Sequence, residues 1–123
     1  MLKARINKKN LTIGSWITLY NESLAEIFAK SGFDWLVIDM EHSAITIDQA
    51  AKLIRVIDLA GCTPLVRLTS NDHNLIKRVM DAGAHGIIVP NINSSDDAKK
   101  AVMATQYAPL GRRGVGLARA QGY

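Results

Sequence analysis

Four times in succession this chain passes from a short apolar stretch into an amphipathic one of helical period, and that alternation restricts its folds more than any other feature. The short stretches are Leu11 to Leu19, Trp35 to Asp39, Pro64 to Arg67 and Gly86 to Pro90, and they read as strands. Each is followed by apolar residues recurring three and four apart: Leu24, Ile27 and Phe28; then Ile47, Ala50, Leu53, Ile54 and Ile57; then Leu75, Ile76, Val79 and Met80; then Ala98, Val102 and Met103. Helix starts are expected at Asn21 or Ser23, at Thr46, at Ser70 or Asn71, and at Ser94 or Ser95; stops are expected at Ser31-Gly32, Ala60-Gly61, Gly83 and Gln106. Connections this short permit only right-handed parallel crossovers. The class is therefore α/β, as an open doubly wound sheet or as the first half of an eight-stranded barrel. The first turn holds Tyr20-Asn21-Glu22 in place of a dinucleotide-binding glycine fingerprint, which favours the barrel. A complete barrel takes roughly 250 residues, and the chain has 123. The reading is the amino-terminal half of a (β/α)8 barrel, four β-α units with parallel strands, in a single incomplete domain over residues 1–123. Residues 1–10 are read as a basic, solvated lead-in, and 107–123 as a Gly/Arg-rich loop.

A hydrophobic content of 48% and a charged content of 21% are those of a folded globular domain. The net charge of +4 comes largely from Lys3, Arg5, Lys8 and Lys9 and from Arg112, Arg113 and Arg119. Neither set is interleaved with stacking aromatics, so a small anionic molecule fits the charge and no nucleic-acid partner is read. Cys62 is the one cysteine, which excludes an internal disulfide; its neighbours Gly61 and Thr63 supply no base, so it reads as a buried structural thiol. The run from Leu11 to Tyr20 is interrupted by Gly14, Ser15 and Thr18 and does not read as a signal peptide. No stretch approaches the roughly 20 apolar residues that span a bilayer. The cytoplasm is the expected location, with no membrane partner.

Trp35-Leu36-Val37-Ile38 has the continuous apolar character of a strand buried on both faces, and then Asp39, Glu41 and His42 follow within four positions. They fall at the carboxyl end of the strand, where α/β sheets and barrels keep their ligands. Adjacent parallel strands would gather Trp16, Thr18, Asp39, His42, Arg67 and Asn91 at the same rim. Asp39 is then expected to accept a hydrogen bond from one imidazole nitrogen of His42, fixing its tautomer and raising the basicity of the other. Such a dyad can take a proton from a hydroxyl or a bound water. Arg67 offers a planar fork for a carboxylate or an enolate oxygen. Structural readings stand beside these: Asp-x-x-His recurs in ordinary loops, Arg67 could pair with Asp39 or Asp72, Trp16 could be plain core, and Asp81 could sit on a solvated helix face. His73 is expected near the same rim, and His85 at the opposite end in a structural role. The Gly111-Arg-Arg-Gly-Val-Gly116 stretch reads as a cationic active-site loop or as a turn, because it does not follow a strand and open a helix as a phosphate cradle does.

Gly14-Ser-Trp16, Gly32-Phe-Asp34-Trp35, Ile38-Asp-Met-Glu-His42, Leu65-Val-Arg67, Asn71-Asp72, Ile76-Lys-Arg78, Asp81-Ala-Gly83-Ala84, Val89-Pro90, Arg113-Gly-Val-Gly116 and Arg119-Ala120 occur in this order along nearly the whole chain. In combination they resemble the HpcH/HpaI aldolase/citrate lyase superfamily, specifically its class II pyruvate aldolases acting on 4-hydroxy-2-oxo acids such as 4-hydroxy-2-oxoheptanedioate and 2-dehydro-3-deoxyglucarate. The resemblance implies a (β/α) barrel assembled as a homo-oligomer, usually a hexamer with exchanged terminal helices, and a divalent ion, Mg2+ or Mn2+, that chelates an oxo-acid substrate. It implies that His42, oriented by Asp39, removes the proton from the C4 hydroxyl as the C3–C4 bond breaks. Arg67 would hold the pyruvate moiety and the developing enolate, Trp16 would line the pocket, and Asp81 would reach a neighbouring subunit's site. The family holds its metal with a glutamate and an aspartate from later strands, so the metal ligands are expected beyond residue 123, with Glu41 at most touching a metal-bound water. The chain is accordingly expected to be the amino-terminal portion of a longer carbon-carbon lyase. Two other readings remain open at this point: a related lyase or synthase using a coenzyme A thioester, and a catalytically incomplete half-barrel.

Overall fold

A parallel sheet whose strands alternate with helices must send every second side chain of each strand toward the helical layer, and the chain does so. In the computed structural model, which describes residues 2–123, strands β1 (Gly14–Ile17), β2 (Trp35–Asp39), β3 (Thr63–Arg67) and β4 (Gly86–Ile88) form one parallel sheet in the order β1-β2-β3-β4. Helices α1 (Leu2–Asn7), α2 (Glu22–Lys30), α3 (Ile47–Leu59), α4 (His73–Asp81) and α5 (Ser95–Thr105) lie before, between and after them. Leu36, Ile38 and Val66 are fully buried and belong to the same core cluster as Leu53, Ile54 and Ile57 of α3 and Ile76 and Val79 of α4. Each such side chain contributes about 1.5–3 kcal/mol by leaving water.

The other face of the sheet is arranged in layers. Gly14, Trp35 and Thr63 are in register, then Trp16, Val37, Leu65 and Gly86, then Asp39, Arg67 and Ile88. Trp35 takes its position because residue 14 has no side chain: a Cβ there would lie 2.0 Å from the indole ring. Val37 is fully buried, whereas Trp16 stays exposed.

Local signals explain most of the ends. Thr46 caps α3 in a reciprocal box, its hydroxyl accepting from the Gln49 amide while the Gln49 side chain accepts from the Thr46 amide. Ser94 caps α5 and Asn21 caps α2. Gly32, Gly61 and Gly83 follow helices at positive φ. Three expectations are corrected. The α4 cap is Asp72, whose Oδ1 accepts from the Leu75 amide at 2.7 Å, not Ser70 or Asn71; a carboxylate at a helix N-terminus is favoured by the dipole as well as by the hydrogen bond. The segment read as a solvated lead-in contains α1, because Arg5 reaches both the Asp34 carboxylate and the Leu11 carbonyl, the latter at 2.7 Å. Asp34 in turn accepts from the Ile13 amide at 2.9 Å, so the short helix is tied to the start of β1 by contacts between residues distant in sequence. The segment after Tyr107 also includes one 3-10 turn, Arg119–Gln121.

Because Leu53 is wholly buried and Leu59, at the end of the same helix, is 77% exposed, truncating the two should differ sharply. Leu53→Ala is expected to cost about 2–5 kcal/mol and Leu59→Ala less than about 0.5 kcal/mol, read as a fall in the urea midpoint at unchanged slope.

Candidate active site

Asp39 ends β2 and faces Arg67 across the ladder, the two being register partners on adjacent parallel strands. Their side chains meet in a forked pair: Arg67 Nε donates to Asp39 Oδ1 at 2.9 Å and Nη2 to Oδ2 at 2.6 Å. Asp39 Oδ1 also accepts from the backbone amides of Glu41 at 3.0 Å and His42 at 3.2 Å, and the Ser43 hydroxyl donates to the Asp39 carbonyl. One carboxylate therefore folds the turn after β2 and fixes the arginine of β3. The guanidinium lies over the Trp16 ring at 4.6 Å, adding a cation–π contact from β1.

The electrostatics follow from these contacts. The Arg67 hydrogen bonds hold the Asp39 carboxyl below the usual carboxylate range, the amides of His42 and Glu41 act in the same direction, and burial opposes them. Asp39 is 2% exposed, yet it is charged because four donors surround it. Arg67 keeps three of its five N–H groups for other partners, and its side chain is 24% exposed.

Asp39, Arg67 and Trp16 thus come together at one end of the sheet, with His42 beside them. The expected bond from the His42 imidazole to Asp39 is not formed. His42 meets Asp39 only through its main-chain amide, and its side chain is 70% exposed. The carboxylate facing the imidazole belongs to Glu41, with Oε2 3.7 Å from His42 Nε2 and 3.5 Å from Arg67 Nε. A tight turn leaves the side chain at the third position pointing away from the oxygen that its own amide approaches. A guanidinium directly opposite then takes the remaining acceptor sites. The alternative pairing of Arg67 with Asp72 is absent, since Asp72 is the α4 cap.

Asp81 lies elsewhere. α4 runs back toward the amino ends of the strands, so its last residue is far from the rim. There Arg113 donates to Asp81 Oδ1 from Nε at 3.1 Å and from Nη2 at 2.7 Å while stacking on Tyr107. Arg113 is 7% exposed, so the cationic-loop reading fails for it: the residue is a buried tie across 32 positions, with no local signal to mark it. His73 lines a separate groove between α4 and α5. His85 is structural as expected, with Nε2 3.0 Å from Asp58 Oδ1, and Arg119 holds the other oxygen of Asp58 at 2.7 Å. Cys62 is buried, donates to the Phe33 carbonyl, and has its thiol pKa pushed up by burial.

The donor set at the rim does not suit a divalent ion by itself. Asp39 is committed to Arg67 and two amides, which leaves Glu41 and His42. No group of three His, Cys, Asp or Glu side chains able to hold a metal occurs among the described residues. The ion that the resemblance implies would need ligands from outside these 123 residues.

A family model described as HpcH/HpaI aldolase/citrate lyase matches residues 12–121. The chain belongs to this family. It is 42% identical to a hydroxypyruvate/pyruvate aldolase of Paraburkholderia phytofirmans, over 99% of the chain and 50% of that protein. Among solved structures it matches an HpcH/HpaI aldolase/citrate lyase family protein from Burkholderia cenocepacia at a TM-score of 0.90 and 37% identity, covering 98% of the chain and 50% of that structure. It also matches a citrate synthase at a TM-score of 0.86 and 36% identity, covering 93% of the chain and 46% of that structure. The chain spans about half the length of the relatives it matches.

Breaking the forked pair should expose its weight. Arg67→Ala leaves the buried Asp39 charge uncompensated and is expected to destabilise the fold by about 3 kcal/mol at neutral pH. Because folding depresses the Asp39 pKa, the pair's contribution is complete above the unfolded carboxylate value of about 3.9 and is lost as pH falls through the lower folded value. The gap between wild type and variant in denaturant titrations should therefore shrink on acidification below about pH 4.

Proposed function

We propose that this chain supplies the base and the oxyanion-binding arginine of an aldolase that cleaves 4-hydroxy-2-oxo acids to pyruvate and an aldehyde. The observation that carries this reading is Arg67, fixed by Asp39, stacked on Trp16, and left with N–H groups facing the mouth of the sheet. A guanidinium so held can receive the substrate carboxylate and the oxygen that becomes the enolate. Its interaction strengthens as the C3–C4 bond breaks and negative charge reaches that oxygen, so it favours the transition state over bound substrate. His42, exposed beside it, takes the proton from the C4 hydroxyl as the aldehyde forms, and can return a proton to C3 of the enolate to give pyruvate. In this reading Asp39 acts on His42 through the turn that it folds, and Glu41 is the carboxylate that orients the imidazole. Trp16 is a wall of the pocket.

The layered face of the sheet supports a second part of the proposal. Trp16 and Ile88 are exposed on the face of the sheet opposite the helix-side core, and β1 and β4 each have one unpaired edge. Further β/α units closing a barrel would cover both, and the implied metal ligands would come with them. Assembly into a homo-oligomer, with Asp81 directed to a neighbouring subunit, belongs to the same reading, as does a cytoplasmic location. No helix among the described residues is long and apolar enough to cross a membrane.

Pyruvate release from a 4-hydroxy-2-oxo acid by the purified protein, with and without Mg2+ or Mn2+, tests the reaction. His42→Ala should slow cleavage by about 10²–10⁴ and Arg67→Lys by about 10²–10³, both with the far-ultraviolet spectrum of the wild type. An unchanged rate in His42→Ala removes that residue from the mechanism. The active species should have an intact mass well above 13.4 kDa; full turnover at that mass would overturn the half-barrel reading.

A further inference from the structure

A groove of ≈ 500 Å³ runs between α4 and α5, lined by Asn71, His73, Lys100, Met103, Ala104 and Arg112. Its walls carry two fixed cations, one imidazole and one amide; its floor is apolar. We infer that this groove binds a small, multiply charged organic anion of the phosphorylated or polycarboxylate class.

Most of the arginines near the sheet are neutralised, and the cations of the groove are not ion-paired with its walls. Arg5, Arg67, Arg113 and Arg119 are each paired with an aspartate. Lys100 and Arg112 line the groove with no acidic side chain among its walls. Of the nearby acids, Asp72 caps α4, its Oδ1 accepting from the Leu75 amide, and Asp97, in the first turn of α5, accepts from the Ser94 hydroxyl at 2.7 Å. That hydroxyl is the main reason the Asp97 carboxyl lies below its usual range, with Lys100 adding to the effect.

The groove is also held in shape. Gly111 packs so tightly on the end of α5 that a Cβ would lie 2.3 Å from the Gln106 carbonyl oxygen and 2.6 Å from that of Met103. The Arg112 amide donates to the Met103 carbonyl at 2.7 Å, and Arg113 next to it is anchored by Asp81. Arg112 is thus fixed at its backbone over the groove instead of swinging on a free loop. At the other end, the Asn71 side chain donates to the Asp97 carbonyl at 2.9 Å and ties α4 to α5.

Calorimetric titration of the purified protein with inorganic pyrophosphate and, separately, with citrate tests the inference, with the His73 imidazole followed by NMR. Saturable binding of at least one probe is expected, with a shift of the His73 resonances. Lys100→Ala and Arg112→Ala should each weaken binding about tenfold, while Lys8→Ala, in the turn after α1, should leave it unchanged. Preference for pyrophosphate assigns the phosphorylated class, and preference for citrate the polycarboxylate class. Absence of saturable binding by both probes, or equal binding in the groove variants, overturns the proposal. The readout is binding, so its failure leaves the aldolase reading where it stood.

Discussion

The Asp39–Arg67 pair is the interaction on which the site depends, because it solves three problems with one carboxylate. A charge that is nearly inaccessible to water persists only when its acceptor sites are filled. Asp39 fills them with a guanidinium from β3 and two amides of its own turn. The guanidinium contacts join two strands at their carboxyl ends, and the amide contacts bend the chain sharply enough to leave Glu41 and His42 at the mouth. An apolar residue at position 39 could support the strand, but it would offer no acceptor to the turn amides or to Arg67. The carboxylate that sequence reasoning assigned to orienting an imidazole instead folds the turn that carries His42.

The two faces of the sheet divide the labour. Leu36, Ile38 and Val66 belong to the helix-side core and account for why the chain folds. The residues alternating with them, Trp35, Val37, Asp39, Leu65 and Arg67, face the other way and change from apolar to charged along the strand direction. That gradient is what a barrel interior needs, with packed layers below and a polar mouth above. The same alternation that specifies the sheet therefore specifies where its chemistry lies, and a one-residue slip in β2 or β3 would destroy both.

Much of this was legible in the residues themselves. The four β/α units, the parallel order, the Thr46 cap and the glycines after α2, α3 and α4 all follow from patterns within ten or so positions, where periodicity and capping chemistry act. The gathering of Trp16, Asp39 and Arg67 followed from placing each at the end of its own strand. What was not legible depends on partners distant in sequence. α1 is held by Arg5 reaching Asp34, and Arg113 is buried by Asp81; nothing in a basic hexamer or an Arg-Gly loop announces either partner. The His42 orientation was missed for a different reason. Spacing places an imidazole within reach of Asp39, but it does not show that a bidentate, charge-assisted donor competes for the same oxygens.

Arg112 and Arg113 show how far neighbouring residues of one type can diverge once the backbone is fixed. The close approach of Gly111 to the carbonyls of Met103 and Gln106 sets the chain direction at the end of α5. From there Arg113 is buried against Tyr107 and neutralised by Asp81, while Arg112 is left on the outer groove. A larger residue at position 111 would push the loop off the helix and separate Arg113 from Asp81, releasing an acid and a base at the amino ends of the strands. The loop therefore does not need to be rigid by composition, and its glycines argue against that. One steric contact and one buried ion pair hold it, and the cation left over, Arg112, faces a groove that Lys100 also lines.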